Sequence, residues 1–330
     1  MNRTVGLTLG KFAPLHRGHQ LMIETALRET DAVIVIIYDC PETIDIPLEV
    51  RAGWIRSLYP SVEVIEARGG PSEVGYTSEI KRRHEAYVLG LLKGRQITHF
   101  YSSEPYGEHM SEALGAVNRQ VDPDRRAFPV SGTQVRRDPY ACRAYLAPIV
   151  YRDLIVSVVF LGAPSTGKTT LAEHVARLRQ TVWMPEYGRE YWERHQVDRR
   201  LTLPQLTEIA EGHLEREERL LVDARNELFV DTNAITTYLF ALYYHGCAEP
   251  RLIDLADQAA WRYDRVFVCD TDIPYDDTWD RSGDVQRQEF QRQILDDLQR
   301  RGVAYTLLQG SLEARTERVA RELETYNRWK

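Results

Sequence analysis

The sequence contains no apolar run long enough to cross a bilayer, and its start lacks the apolar stretch and cleavage site of a signal peptide. Its four cysteines are widely separated and form no CxxC pair, which argues against a disulfide framework and against a structural zinc site. We therefore predict a cytoplasmic protein without membrane partners.

Lysine is also scarce, because only five of the 42 basic residues are lysine. Two of these five, Lys11 and Lys168, lie in glycine-rich loops that follow predicted strands. Residues 1–150 carry 18 basic and 18 acidic residues, and the remainder carries 24 and 31, with no basic tail or stripe. This distribution argues against nonspecific nucleic-acid binding, although a few local donors can still bind a small anion.

A length of 330 residues suggests two domains of ordinary size. Strand and helix patterns alternate along the chain, which predicts an α/β fold with a parallel sheet and helices on both faces. A new β-rich run begins at Leu154, shortly after Pro148, without a low-complexity linker. We therefore predict one domain over residues 1–152 and a second over residues 153–330.

Residues 162–169 read GAPSTGKT, which matches G-x-x-x-x-G-K-[ST] between a predicted strand and a predicted helix. In such a loop, N–H groups face a phosphate, the lysine reaches the β- and γ-phosphates, and the Thr169 hydroxyl can ligate Mg²⁺. The alternative is a glycine turn that merely starts a helix. The predicted nucleotide-binding residues of this loop are Gly162, Ser165, Thr166, Gly167, Lys168, Thr169 and Thr170.

Two carboxylates could serve this loop. Asp231 ends the predicted strand of ELFVDTN, where it could hold the metal or face the acceptor, or could instead cap the next helix. Glu186 in PEYGREY could take the proton of an acceptor hydroxyl, or could lie in a surface turn. Arg281 and Arg287 follow in a polar segment, either as lid arginines that neutralise a transferring phosphoryl group or as ordinary exposed residues.

The second stretch of interest, residues 10–19, reads GKFAPLHRGH. His16 and His19 at a helix start can both point at one bound anion, or His16 can simply cap the helix in a polar turn. A zinc site is disfavoured because no cysteine or third histidine lies at ligand spacing. At SGTQVRRD, the hydroxyls of Ser131 and Thr133 and the guanidinium of Arg136 could form a second phosphate clamp, the alternative being a Ser/Thr cap.

The pair GKFAPLHRGH and SGTQVR resembles the signatures of the HxGH nucleotidyltransferases, which transfer a nucleotidyl group from an NTP to a phosphate. Their fusion with GAPSTGKT, PEYGREY, FVDTN and DRSG, in that order, resembles the bifunctional NadR proteins of bacterial NAD salvage, and VDPDR at residues 121–125 also fits. The resemblance covers essentially the whole chain. It implies a Rossmann-like nucleotidyltransferase domain followed by a P-loop kinase domain.

What the resemblance implies can be assigned residue by residue. The second domain would phosphorylate nicotinamide riboside with ATP and Mg²⁺, giving nicotinamide mononucleotide (NMN). The first would transfer an adenylyl group from ATP to NMN, giving NAD and pyrophosphate. The implied catalytic residues are His16 and His19 in the first domain and Lys168, Asp231 and Glu186 in the second.

The implied binding residues divide in the same way. Glu186, Tyr187 and Arg189 would contact the riboside, and Thr169 and Asp231 the metal. Arg281 would contact the phosphates in the second domain. The implied nucleotide-binding residues of the first domain are Gly10, Lys11, Phe12, Gly18, Arg51, Ser131, Thr133 and Arg136.

One departure from the family concerns DNA. Some NadR proteins carry an N-terminal helix-turn-helix domain, whereas here the first catalytic strand begins by about Thr4, so direct DNA binding is not expected. Two alternatives to the salvage enzyme stay open: a transferase and kinase pair for another acceptor, and an NAD-sensing or ATP-sensing regulator with little or no adenylyltransferase turnover. A homo-oligomer is possible, and the motifs do not rank Asp231 against Glu186 as the kinase base.

Overall fold

We describe a computed structural model of residues 3–41, 44–71, 75, 77–104, 107–197, 201–274 and 287–329. Its contacts divide the chain into two compact units. Unit 1 comprises the residues up to Tyr151 together with Trp329, and unit 2 runs from Arg152 to Arg328. In the described parts of the chain, no helix is both long and apolar enough to cross a membrane.

Unit 1 is built on a five-stranded parallel sheet with the strand order β3-β2-β1-β4-β5. Its first two strands are buried along most of their length, and β2 is a continuous apolar run, as expected for a sheet that is covered on both faces. The order reverses beside the central strand β1, which pairs with β2 on one side and β4 on the other. The strands are β1 (Val5–Gly10), β2 (Ala32–Tyr38), β3 (Glu63–Ala67), β4 (His99–Ser102) and β5 (Val117–Gln120).

The helices of unit 1 alternate with these strands and cover the sheet. Apolar side chains of β1, β2 and β4 pack with α3 and α4 in one buried cluster that includes Leu7, Ile36, Val88, Phe100 and Met110. The helices are α1 (Arg17–Glu29), α2 (Leu48–Leu58), α3 (Ser78–Leu92), α4 (Gly107–Leu114), α5 (Gly132–Arg137) and α6 (Pro148–Leu154), the last running across the unit boundary.

Unit 2 contains a second five-stranded parallel sheet, with the order β10-β9-β6-β8-β7. The central strand β6 pairs with β8 and with β9, so its carboxyl end again marks the point where the order reverses. Three stacked phenylalanines, Phe160, Phe229 and Phe267, join these three strands on one face. The strands are β6 (Val156–Leu161), β7 (Trp183–Met184), β8 (Glu227–Asp231), β9 (Arg265–Cys269) and β10 (Thr306–Leu308).

Two buried clusters hold the helices of unit 2. One joins the sheet to α7 and α13, and the other lies among α8, α9, α10 and α11. The helices are α7 (Lys168–Leu178), α8 (Tyr187–His195), α9 (Leu203–Leu220), α10 (Ala234–His245), α11 (Pro250–Arg262), α12 (Arg287–Arg300) and α13 (Leu312–Thr325).

The predicted fold class is confirmed, since both units are parallel-sheet α/β structures. The sequence patterns did not indicate strand β5 or helix α4. All four residues of β5, VNRQ, are exposed, so this edge strand carries no hydrophobic signal. Its pairing with β4 alone defines it.

Candidate active sites

In unit 1 the GKFAPLHRGH stretch leaves the carboxyl end of β1 and enters α1. Because β1 pairs with β2 and β4 on its two sides, this loop lies at the point where ligands bind in doubly wound sheets. Gly10 ends the strand, the Lys11 side chain is exposed, and Phe12 is fully buried. Phe12 also adopts a left-handed backbone conformation with φ 47°.

The two histidines of this loop form one stacked pair. Their ring centroids lie 3.7 Å apart with 21° between the planes, and the Phe12 and His19 rings meet edge to face with their centroids 4.9 Å apart. His16 is the N-cap of α1, and its backbone N–H donates to Nδ1 of His19 over 3.4 Å. Both imidazoles therefore lie at one helix N-terminus, where an anion is favoured.

Burial keeps these imidazoles uncharged at neutral pH in the absence of a ligand. Burial, followed by the positive charge of Arg125, lowers the pKa of His16 to about 4. The pKa of His19 is lowered well below its ordinary value by burial, by His16 and by Arg125. A bound polyphosphate would favour the protonated form of either ring, since opposite charge nearby raises a histidine pKa.

The SGTQVR segment contacts the same loop. The Arg136 Nη1 donates to the carbonyl oxygen of Ala13 over 2.5 Å, and its Nη2 donates to the Thr133 hydroxyl over 3.2 Å. A Cβ atom on Gly132 would lie 3.1 Å from the same carbonyl, so the two segments touch closely. Ser131 is the N-cap of α5 and accepts from the Gln134 N–H, as the cap alternative predicts.

Arg51 supports this loop through hydrogen bonds to backbone carbonyls. Its guanidinium is almost completely buried and donates to the carbonyl oxygens of Lys11, Tyr38 and Ile46, over 2.5, 2.8 and 3.0 Å. These bonds hold the start of the loop against β2 and the approach to α2. They give Arg51 a supporting role, and its direct contact with phosphate stays a prediction.

In unit 2 the GAPSTGKT loop joins β6 to α7. Gly162 has φ 142°, and a Cβ atom there would lie 2.6 Å from the Cys269 carbonyl oxygen, so only glycine fits. Ser165 and Gly167 have φ 60° and 81°, which curls the backbone before the helix begins. Thr170 is exposed on the first turn of α7.

Lys168 and Thr169 are each hydrogen-bonded to a neighbouring group at the end of the central strands. The buried Lys168 Nζ donates to the Ala163 carbonyl oxygen over 3.0 Å, so its ammonium is held across the loop. The Thr169 hydroxyl donates to Oδ2 of Asp231 over 2.5 Å. Asp231 is fully buried at the end of β8, next to β6 in the sheet, and the cap of α10 is Asn233.

The three predicted riboside contacts lie on one segment. Glu186 is half-buried at the N-cap of α8, two residues beyond β7, and β7 pairs with β8. Tyr187 packs against Gly212 and lies under the guanidinium of Arg216 at 3.8 Å. Arg189 is exposed and pairs with Glu193 over 3.7 Å. The strand order thus brings Glu186 and Asp231 to the edge that carries the P-loop, whereas Arg281 lies outside the described residues.

Comparison with known proteins agrees with this architecture. Residues 7–138 match the cytidylyltransferase-like family, and residues 157–315 match an AAA domain family. The chain is 26% identical over 328 residues to the trifunctional NAD biosynthesis/regulator protein NadR of Escherichia coli (strain K12), covering 92% of this chain and 78% of that protein. Identity to the protein of the same name from Salmonella typhimurium is 27% over 330 residues, with the same coverage. The chain is a NadR homologue.

Solved NadR structures share the fold across the whole of this chain. A NadR protein in complex with NAD and AMP-PNP superposes with a TM-score of 0.59 at 22% identity, covering 99% of this chain and 98% of the other. A NadR protein in complex with NR gives a TM-score of 0.58 at 23% identity, covering 98% and 96%. A chain that contains two α/β domains is therefore common to these NadR proteins and to this homologue.

The homologue also contains site residues that the motifs did not identify. Arg315 and Gln291 hold the backbone of the P-loop from α13 and α12. Arg287, which the sequence suggested as a lid arginine or an exposed one, also holds that backbone, from the start of α12. In unit 1, Arg125 of the VDPDR motif acts electrostatically on both histidines. VDPDR was a visible signal for Arg125, whereas Arg315 and Gln291 lie in ordinary amphipathic helices and have no local signal.

Proposed function

We propose that this NadR homologue makes NAD in two steps, by phosphorylating nicotinamide riboside in unit 2 and adenylylating the resulting NMN in unit 1. The observation that carries the proposal is that one chain has a stacked HxGH pair after one central strand and a P-loop after another. The relatives named for NAD biosynthesis and the NadR structures with NAD, AMP-PNP and NR support this choice of substrates.

In unit 1 the 5′-phosphate oxygen of NMN attacks the α-phosphorus of ATP in line. A new phosphorus–oxygen bond forms, the bond between the α- and β-phosphates breaks, and pyrophosphate leaves without a covalent enzyme intermediate. His16 and His19 donate hydrogen bonds to the triphosphate oxygens on which charge develops, which is stabilisation by groups already in position. Arg136, with Ser131 and Thr133 at the start of α5, contacts this loop and forms the second clamp on the triphosphate.

In unit 2 the 5′-hydroxyl of the riboside attacks the γ-phosphorus of ATP, and ADP leaves. Lys168 and the P-loop N–H groups hold the β- and γ-phosphates. We assign the base role to Glu186, because Asp231 already accepts a hydrogen bond from the Thr169 hydroxyl in a fully buried position. Asp231 then holds Thr169 in place, and Glu186 takes the proton of the attacking hydroxyl.

The oxygen atoms of Thr169 and Asp231 fit Mg²⁺. They lie 2.5 Å apart, one in the P-loop and one at the end of β8, and both are hard oxygen donors. Within the described residues no group of three or more His, Cys, Asp or Glu is placed to hold a metal ion by itself. Mg²⁺ commonly binds through one or two protein oxygens together with substrate phosphates, and when bound it neutralises charge on the phosphoryl groups.

The decisive experiment supplies each acceptor separately. The purified protein is incubated with ATP and MgCl₂ and with either nicotinamide riboside or NMN, and the products are separated by chromatography. NMN and ADP from the riboside, and NAD and pyrophosphate from NMN, are expected. An absence of NMN would refute the kinase assignment, and an absence of NAD would refute the adenylyltransferase assignment.

A sensor of NAD or ATP is the second candidate, since both curated relatives are named as regulators as well as biosynthetic proteins. Tight NAD binding in unit 1 with no measurable NAD formation would favour it. A cytoplasmic location, homo-oligomerisation and the absence of direct DNA binding stay predictions from the sequence.

A further inference from the structure

Two arginines donate hydrogen bonds to backbone carbonyls of the P-loop. The Arg287 Nη2 donates to the carbonyl oxygen of Ser165 over 2.8 Å, and the Arg315 Nη1 donates to that of Thr166 over 2.6 Å. Arg287 begins α12 and Arg315 lies in the first turn of α13, so two distant segments meet at consecutive carbonyls of the loop. We call Arg287 and Arg315 the arginine brace.

Both arginines of the brace are also tied to the segment that follows β9. The Arg287 Nη1 donates to the Ile273 carbonyl oxygen over 2.8 Å. The Arg315 Nη2 donates to the Asp270 carbonyl oxygen over 3.3 Å and pairs with the carboxylate of Asp272. Arg315 is only 3% exposed, and Asp272 accepts from the Gly310 N–H over 2.5 Å. The P-loop is therefore joined to a neighbouring loop of the same sheet edge.

The geometry of the peptide bond gives these contacts a consequence for the front of the loop. In a trans peptide the carbonyl and the following N–H lie in one plane and point in opposite directions. Fixing the Ser165 carbonyl therefore fixes the direction of the Thr166 N–H. Fixing the Thr166 carbonyl likewise fixes the direction of the Gly167 N–H. These N–H groups belong to the part of a P-loop that faces phosphate.

We propose that the arginine brace is a pair of positioning residues that aims the N–H groups of Thr166 and Gly167 at the phosphates of the bound nucleotide. The inference rests on the proposed kinase activity of unit 2. A planar guanidinium suits this task, because its fixed fork spans two acceptors at once: Ser165 and Ile273 for Arg287, and Thr166 and Asp272 for Arg315. A lysine ammonium keeps the charge but lacks the planar fork.

The test replaces the fork while keeping the charge, with Arg287→Lys and Arg315→Lys made separately. Each is expected to raise the KM for ATP in the kinase step about tenfold, because hydrogen bonds to charged groups are strong and the loop loses one of them. The KM for riboside should stay unchanged. The inhibition constant of ADP against ATP should rise about tenfold, whereas that of AMP, which lacks the β-phosphate, should rise much less.

Matched controls lie on the same two helices. Arg318→Lys on α13 and Arg292→Lys on α12 change exposed arginines that pair with Glu322 and Glu289. Neither should alter the KM for ATP. Formation of NAD from NMN in unit 1 provides an internal measure of intact protein in every variant. A Lys variant whose ADP and AMP inhibition constants change by the same factor, or do not change, would overturn the proposal.

Failure of the proposed kinase activity would be distinguishable from failure of this inference. If the wild type forms no NMN, ADP binding is measured by calorimetry, with the Lys168→Ala signal subtracted to remove binding in unit 1. A roughly tenfold loss of that ADP affinity in the Arg315→Lys protein supports the brace even without riboside phosphorylation. An unchanged affinity refutes it.

Discussion

The two glycine-rich loops of this NadR homologue, residues 10–19 after β1 and residues 162–169 after β6, present different chemical groups. In unit 1 the loop after β1 offers two stacked imidazoles, and its lysine is exposed. In unit 2 the backbone of the loop after β6 curls before α7 begins, and its lysine is buried and bonded across the loop. We therefore expect the first site to bind phosphate through side chains that can gain protons, and the second through backbone N–H groups and an ammonium.

The two loops are alike in that arginines donate hydrogen bonds to their backbone carbonyls. Arg51 and Arg136 donate to the carbonyls of Lys11 and Ala13 in unit 1, and Arg287 and Arg315 donate to those of Ser165 and Thr166 in unit 2. A loop that turns its donors toward an anion leaves its carbonyls facing the protein. Buried carbonyls need partners, and in both units arginines provide them. The comparison shows that the support of a phosphate loop can recur where its ligand-facing groups differ.

The largest effect should come from Lys168→Ala. Removing the ammonium that holds the β- and γ-phosphates should lower kcat/KM for riboside phosphorylation about a thousandfold. Formation of NAD from NMN should be unchanged, because unit 1 has its own site. Chromatographic rates for both steps measure the effect, with Lys93→Ala in unit 1 as the matched control. Loss of both activities would contradict two independent sites.

Low pH should reduce the free energy of unfolding through one buried histidine in each unit, His16 in unit 1 and His213 in unit 2. Both have a pKa lowered to about 4. Burial is the main cause, with Arg125 adding to it for His16, and Arg262 and Arg216 for His213. The unfolded chain takes up these protons near pH 6.5, so the stabilisation is fully present above pH 6.5. It is lost as the pH falls toward 4, by about 3 kcal/mol for each group.

The measurement is the free energy of unfolding between pH 7 and pH 4.5. His213→Leu should flatten the pH dependence of unit 2, with kinase activity reporting on that unit. Tripolyphosphate should protect unit 1 against acid, because a bound anion favours protonated His16 and His19. Equal pH dependence of the wild type and the His213→Leu variant would show that His213 does not titrate with unfolding.

His19→Ala should lower kcat/KM for NAD formation about a hundredfold, because one donor to the developing charge is lost. Riboside phosphorylation should be unaffected. His84→Ala on α3 of the same unit is the control. If the His19→Ala variant retains full NAD formation, the stacked pair does not contact the reacting phosphates.

Arg136→Lys should have the smallest effect, since the charge remains and only the fork between Ala13 and Thr133 is lost. The KM for ATP in NAD formation should rise about tenfold, with little change in kcat. Arg137→Lys, at the adjacent exposed position, is the matched control. An equal effect of the two substitutions would remove Arg136 from the phosphate clamp.

The contrast between the loops was visible in the sequence because both motifs are local. Residues 162–169 and 10–19 each follow a predicted strand, and their glycines, lysines and histidines are adjacent in the chain. SGTQVR was predicted to clamp the same phosphates as GKFAPLHRGH, and the structure brings the two segments into contact through Arg136. The role of Arg287 was predicted less well: the sequence suggested a lid arginine or an exposed one, and the structure shows it bonded to the P-loop backbone.

The sequence by itself determined the α/β class and the positions of the two glycine-rich loops that follow β1 and β6, because alternating apolar strands and short glycine-rich loops are local patterns. Only the tertiary structure decided that exposed VNRQ forms an edge strand, that burial lowers the pKa of His16 and His19, and that Arg315 reaches the Thr166 carbonyl across 149 residues. The physical reason is that burial and pairing depend on which distant segments meet. In this fold the meeting points are the carboxyl ends of two central strands, β1 and β6.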